Sequence, residues 1–93
     1  MNEFTDTVTE ADILAELVAP EEPNLRKDFA RAILGVRFSA AARRRIKTLA
    51  AKNRRATLSD NERAELEKYL RVGLFIDLMQ AKARASLSSE HAA

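Results

Sequence analysis

Residues 59–87 read SDNERAELEKYLRVGLFIDLMQAKARASL, and this stretch decides the fold. Ser59 and Glu62 have the spacing of a capping box: the hydroxyl accepts from the amide three residues on, and the carboxylate reaches back to the cap's own amide. Asp60, Glu62, Glu65 and Glu67 gather at the positive end of the helix that follows, with Lys82 and Arg84 toward its negative end. Leu66, Tyr69, Leu70, Val72, Ile76, Met79 and Ala83 form one side. Leu74, Phe75 and Leu78 widen it beyond a single stripe, as in a helix that meets more than one neighbour. The spacing predicts a helix from about residue 60 to about 85, the longest in the chain. Gly73 stands in its middle, where glycine costs about 1 kcal/mol against alanine. A close helix crossing with Ala50 or Ala51 opposite is the expected reason.

A short polar turn around residues 54–59 connects this helix to the one before it, which contains RRRIKTLAAKNRR, residues 43–55. Seven of those thirteen residues are basic and none is acidic. Ser39 is the expected cap, and Ala42, Ile46, Leu49 and Ala50 the expected inner face. The two helices should pair antiparallel as an αα-hairpin. Further back, Leu25, Phe29, Ala32 and Ile33 recur at helical spacing. Asn24 is the expected N-cap and Gly35 the expected left-handed stop. The first helix should open at Thr9, with Asp12 in its first turn and an apolar face of Ile13, Leu14, Leu17 and Val18. APEEPN, residues 19–24, reads as a stiff linker.

The fold class expected is therefore all-α: about four helices, with a C-terminal αα-hairpin ending in a long helix, and the first two helices packed across it. Residues 1–23 read as an acidic arm with a short helix, 24–87 as the helical domain and 88–93 as a disordered tail.

At 93 residues this is one small domain. It is 46% hydrophobic, but 17 of those residues are Ala, so the core is thin. Such chains complete themselves by forming a homodimer or by docking on a partner. There is no Cys, hence no disulfide framework and no thiolate metal site. The only His, His91, is third from the end, and there is no glycine-rich phosphate loop. No catalytic residue, cofactor or metal site is expected, and the chain does not read as an enzyme. No apolar run approaches the ~20 residues that cross a bilayer. The opening MNEFTDTVTEAD is acidic and polar, unlike a signal peptide. A cytoplasmic protein with no membrane partner is expected.

The net charge of +2 hides a segregation. Residues 1–24 hold seven acids and no base, residues 25–55 eleven bases and one acid, and residues 56–93 five bases and six acids. Two binding surfaces follow. Arg43, Arg44, Arg45, Lys47, Arg54 and Arg55 suit nucleic acid or an acidic partner, against the plain alternative of a solvated helix face. Glu10, Asp12 and Glu16, beside the apolar patch of the first helix, suit a basic protein partner, against that of an ordinary acidic helix. One nucleic-acid version is more specific. ILGVRFSAAARRRIKTL, residues 33–49, can be read as a short strand with Val36 and Phe38 on one face, then a helix. With the helix after the capping box, residues 33–70 resemble a ribbon–helix–helix repressor, in which Arg37 would read bases.

A second resemblance covers about residues 37–87. Thr57, Leu58, Ser59 and Glu62, then Tyr69, Arg71, Val72 and Gly73, then Lys82, Ala83, Arg84, Ser86 and Leu87 follow the pattern G-T-L-[ST]-x-x-E, E-x-Y-x-R-V-G and K-A-R-x-S-L. Ala56 departs from it, standing where glycine is usual. In this the chain is similar to a group of small bacterial all-helical proteins often encoded beside HNH-type endonucleases. The resemblance implies an antitoxin- or immunity-like protein that neutralises a nuclease.

Overall fold

The computed structural model describes the backbone of residues 8–92 and the side chains of residues 8–89. Among these residues the protein is all-helical: α1 spans Glu10–Val18, α2 Lys27–Leu34, α3 Ala40–Arg54 and α4 Asp60–Ala92. It divides into two compact units. Unit 1 takes the described residues up to Val36 with those from Leu74 onward, and unit 2 takes Arg37–Gly73. α4 contributes residues to both units.

Unit 2 is the αα-hairpin. Ser39 caps α3 by accepting from the Ala42 amide at 3.1 Å. The predicted capping box of α4 is complete: Glu62 N–H donates to Ser59 Oγ at 3.1 Å, and Ser59 N–H to Glu62 Oε1 at 3.0 Å. Between the helices, Ala56 N–H donates to the Asn53 carbonyl at 3.1 Å and Thr57 N–H to the Lys52 carbonyl at 2.9 Å. This is the Schellman pairing, and it puts Ala56 in the left-handed region, at φ 58°. The position where glycine is usual is thus one where an L side chain is strained. Leu49 is wholly buried and Leu66 nearly so, while Ala42, Ile46 and Ala50 are half-buried, as the inner face of α3 requires.

The close crossing with Ala50 or Ala51 expected at Gly73 is not found. The nearest neighbour of Gly73 from another element is the Phe38 ring, and a Cβ added there would sit 3.7 Å from Phe38 Cε2, an ordinary contact. Phe38 also meets Tyr69 edge-on, with centroids 5.7 Å apart and planes at 83°. The strand expected at Val36–Phe38 is not formed, and no strand occurs among the described residues. The Val36 carbonyl accepts from Gln80 and the Phe38 carbonyl from Arg43, so the backbone groups that a paired strand would need are taken.

In unit 1, α1 opens on a capping box between Thr9 and Asp12. Val8 and Ile13 occupy the positions of a hydrophobic staple around it. The helix ends at Ala19, left-handed at φ 50°, with Pro20 next, which cannot continue it. The expected apolar face of α1 is split in two. Val18 is buried and Leu14 half-buried, but Ile13 and Leu17 face outward. α2 starts at Lys27 with Arg26 as its cap residue, so Asn24 is not the cap. Gly35 has φ −88° and is not a left-handed stop. The fully buried residue of α2 is Ala30, which the spacing argument did not single out, and Phe29 is about half exposed. α4 continues to Ala92, beyond the expected end near residue 85, so the backbone of residues 88–92, read as disordered tail, is helical. His91 lies within this last turn.

Candidate interaction surfaces

The K-A-R-x-S-L motif turns out to be the clamp of unit 1. Lys82 is buried, and its Nζ donates to the Val18 carbonyl at 2.6 Å, at the negative end of α1. Its charge thus serves another helix, not the end of its own as the sequence suggested. Ala83 is wholly buried. Ser86 is buried too; its Oγ accepts from the Leu25 amide at 3.1 Å and donates to the Lys82 carbonyl at 2.9 Å. Gln80, which carried no signal in the sequence, donates to the carbonyls of Ile33 at 3.2 Å and Val36 at 2.8 Å, closing the end of α2. Lys82 and Gln80 therefore satisfy orphan carbonyls at the ends of α1 and α2, and Ser86 holds the backbone just before α2.

The surface of unit 1 is rich in apolar side chains. Leu17 is 76% exposed, and Val8, Ile13, Phe29, Val36 and Phe75 are each about half exposed. Phe29, Ile33, Val36, Phe75, Ile76 and Met79 line an open groove of about 230 Å³ with no polar side chain in its wall. On α1 the three acids are exposed around Ile13 and Leu17. They are not equivalent. Asp12 accepts the Thr9 amide at 3.0 Å and belongs to the cap, and Glu10 has interactions of its own. Glu16 has no hydrogen bond or ion pair among the described residues.

In unit 2 the seven cations of residues 43–55 separate by helix face. Arg45 turns to α4 and holds Glu65 with two parallel bonds, Nε to Oε2 at 2.9 Å and Nη2 to Oε1 at 2.8 Å. Lys52 Nζ donates to Glu62 Oε2 at 2.6 Å. These bonds hold the Glu65 carboxyl below the usual carboxylate range and, with the Ser59 amide, lower that of Glu62 to about 2. Arg45 is therefore engaged within the hairpin. Arg43, Arg44, Lys47, Arg54 and Arg55 are exposed. Arg43 reaches back to the Phe38 carbonyl, and the other four have no partner among the described residues.

Among the described residues no helix is long and apolar enough to cross a membrane. Compared with known proteins, the chain matches no family model, no curated protein and no solved structure.

Proposed function

We propose that the chain is a non-enzymatic binding protein of the cytoplasm, the antitoxin- or immunity-like partner of a nuclease. The observation that carries the protein-binding part is the outer face of α1. Ile13 and Leu17 stand outward on an acidic helix whose adjacent side is already anchored through Val18. An amphipathic helix that presents a second apolar pair between carboxylates suits a groove with a basic rim. A contiguous exposed apolar patch is the informative kind of surface, since scattered apolar residues are ordinary. That the partner is a nuclease follows from the resemblance over residues 37–87, and a nuclease surface that grips phosphates is itself basic.

The test is capture from the protein's own cells, with and without nuclease treatment of the lysate. A stoichiometric protein should survive the treatment, cleave DNA alone and be inhibited by added chain. The double variant Ile13→Asp, Leu17→Asp should lose it while keeping its helical circular-dichroism spectrum. Recovery of nucleic acid with loss of every protein on treatment would sink the reading.

A further inference from the structure

The outer face of α3 is a separate surface, with a chemistry of its own. Between Arg43 and Arg55 the chain holds no carboxylate. The ion pairs to Glu62 and Glu65 draw Lys52 and Arg45 inward, and the same pairs neutralise the two carboxylates of α4 that face α3. At 3.6 residues per turn, the remaining five cations all fall roughly 120° or more around the helix from the wholly buried Leu49. Arg43, Lys47 and Arg54 lie in one line about 16 Å long at a rise of 1.5 Å per residue, with Arg44 and Arg55 beside it. Between them stand Ala40 and Ala51, with Thr48 at the edge.

We propose that this face binds the phosphate backbone of double-stranded nucleic acid, without reading its sequence. The arrangement is of one sign and fixed to the hairpin by a bidentate pair on its inner side. Four of its five cations are arginines, whose planar fork matches two phosphate oxygens. It holds no aromatic and no large apolar residue. That disfavours a protein partner, because protein interfaces depend on buried aromatic and apolar anchors. It equally disfavours a single strand, for which aromatic platforms stack the bases. Phosphate contact requires only the cations, and Thr48 adds a hydroxyl donor of the kind that joins such contacts. With no strand at Val36–Phe38, Arg37 has no frame from which to enter a groove, so the contact is to the backbone.

The experiment is fluorescence anisotropy of the full chain with two labelled duplexes of about 20 base pairs and unrelated sequence, from 50 to 200 mM salt. Both duplexes should bind alike, in the micromolar range typical of non-specific contact. The logarithm of affinity should fall with that of salt at a slope of about −4, roughly 250-fold across this range. The double variant Arg44→Ala, Lys47→Ala should flatten the slope by about 2 for both sequences. Arg84→Ala, an exposed cation on α4, should leave it unchanged. Circular dichroism checks that each variant folds. The proposal is overturned by an unchanged slope in the double variant, by tighter binding of the corresponding single strand, or by absence of duplex binding alongside binding of polyglutamate. The last result would assign the face to an acidic protein. Because the probes, nucleic acid and polyglutamate, are acidic like α1 itself, none of these outcomes bears on the proposed protein partner of α1.

Discussion

Unit 1 and unit 2 are held together by different kinds of bond. In unit 1, Lys82 and Gln80 bond backbone carbonyls at the ends of α1 and α2, Ser86 holds the backbone just before α2, and two of the three are buried. In unit 2, the polar bonds between the two helices run from side chain to side chain, Arg45 to Glu65 and Lys52 to Glu62, and stay partly in contact with water. A buried bond to a backbone group is hard to replace, because its loss strands a polar atom away from water. A half-exposed ion pair is replaced by solvent at small cost. The polar framework of unit 1 should therefore fail when single side chains are removed, whereas unit 2 should depend first on its apolar contact and respond to pH.

The largest effect is expected where unit 2 has its one wholly buried large side chain. Leu49→Ala should destabilise the protein by about 3 kcal/mol through lost burial and the cavity left behind. Urea unfolding measures this, and a loss under about 1 kcal/mol would mean that the hairpin does not rest on Leu49. In unit 1, Lys82→Ala should cost about 2 kcal/mol, the scale of a lost hydrogen bond from a charged group. Hydrogen exchange should then show α1 opening before α3. If α1 keeps its protection in that variant, the clamp does not govern unit 1.

The comparison is sharpened by a change that should help. Ala56→Gly relieves a left-handed alanine at the turn, offset by the greater freedom of glycine in the unfolded chain, for a net gain of about 0.5–1 kcal/mol. A lower denaturation midpoint would show that the turn is not left-handed in solution. The smallest effect is the acid response. The lowered carboxyls of Glu62 and Glu65 add stability that is fully present above the unfolded carboxylate range. It is lost as pH falls, for Glu62 through about 2. Thermal melts from pH 6 to pH 2 should decline, and less steeply in Glu62→Gln. Parallel curves would remove the Lys52–Glu62 pair from the stability of unit 2.

Much of unit 2 was legible in the sequence. Its caps at Ser39 and Ser59, its turn and its inner face all depend on residues within a few positions of one another, and the departure at Ala56 pointed to the residue with positive φ. The binding surfaces were legible in outline. The basic stretch was visible as a run of charge, but that Arg45 belongs inside and Arg44 outside depends on where α4 lies. The acids of α1 were visible too, yet nothing in their spacing separated Asp12, held by the cap, from Glu16. Misreadings fell in both units: Asn24 as cap, Gly35 as left-handed stop and the single apolar face of α1 in unit 1, and the close crossing at Gly73 in unit 2. Beside Asn24 and Gly35, side chains of α4 hold the neighbouring backbone: Ser86 accepts from the Leu25 amide and Gln80 donates to the Ile33 and Val36 carbonyls.

The sequence by itself determined the all-α class, the helix starts at Thr9, Ser39 and Ser59, the hairpin turn and the separation of charge along the chain, because helix periodicity, capping and turns are settled by near neighbours. Tertiary structure alone decided that Lys82 closes a helix ending 64 residues earlier, that Ser86 meets the Leu25 amide across 61 residues, and which cations and apolar side chains are left at the surface. Those outcomes depend on which backbone groups are orphaned at helix ends and which side chain of a distant helix lies within reach, and no periodicity in the chain records that.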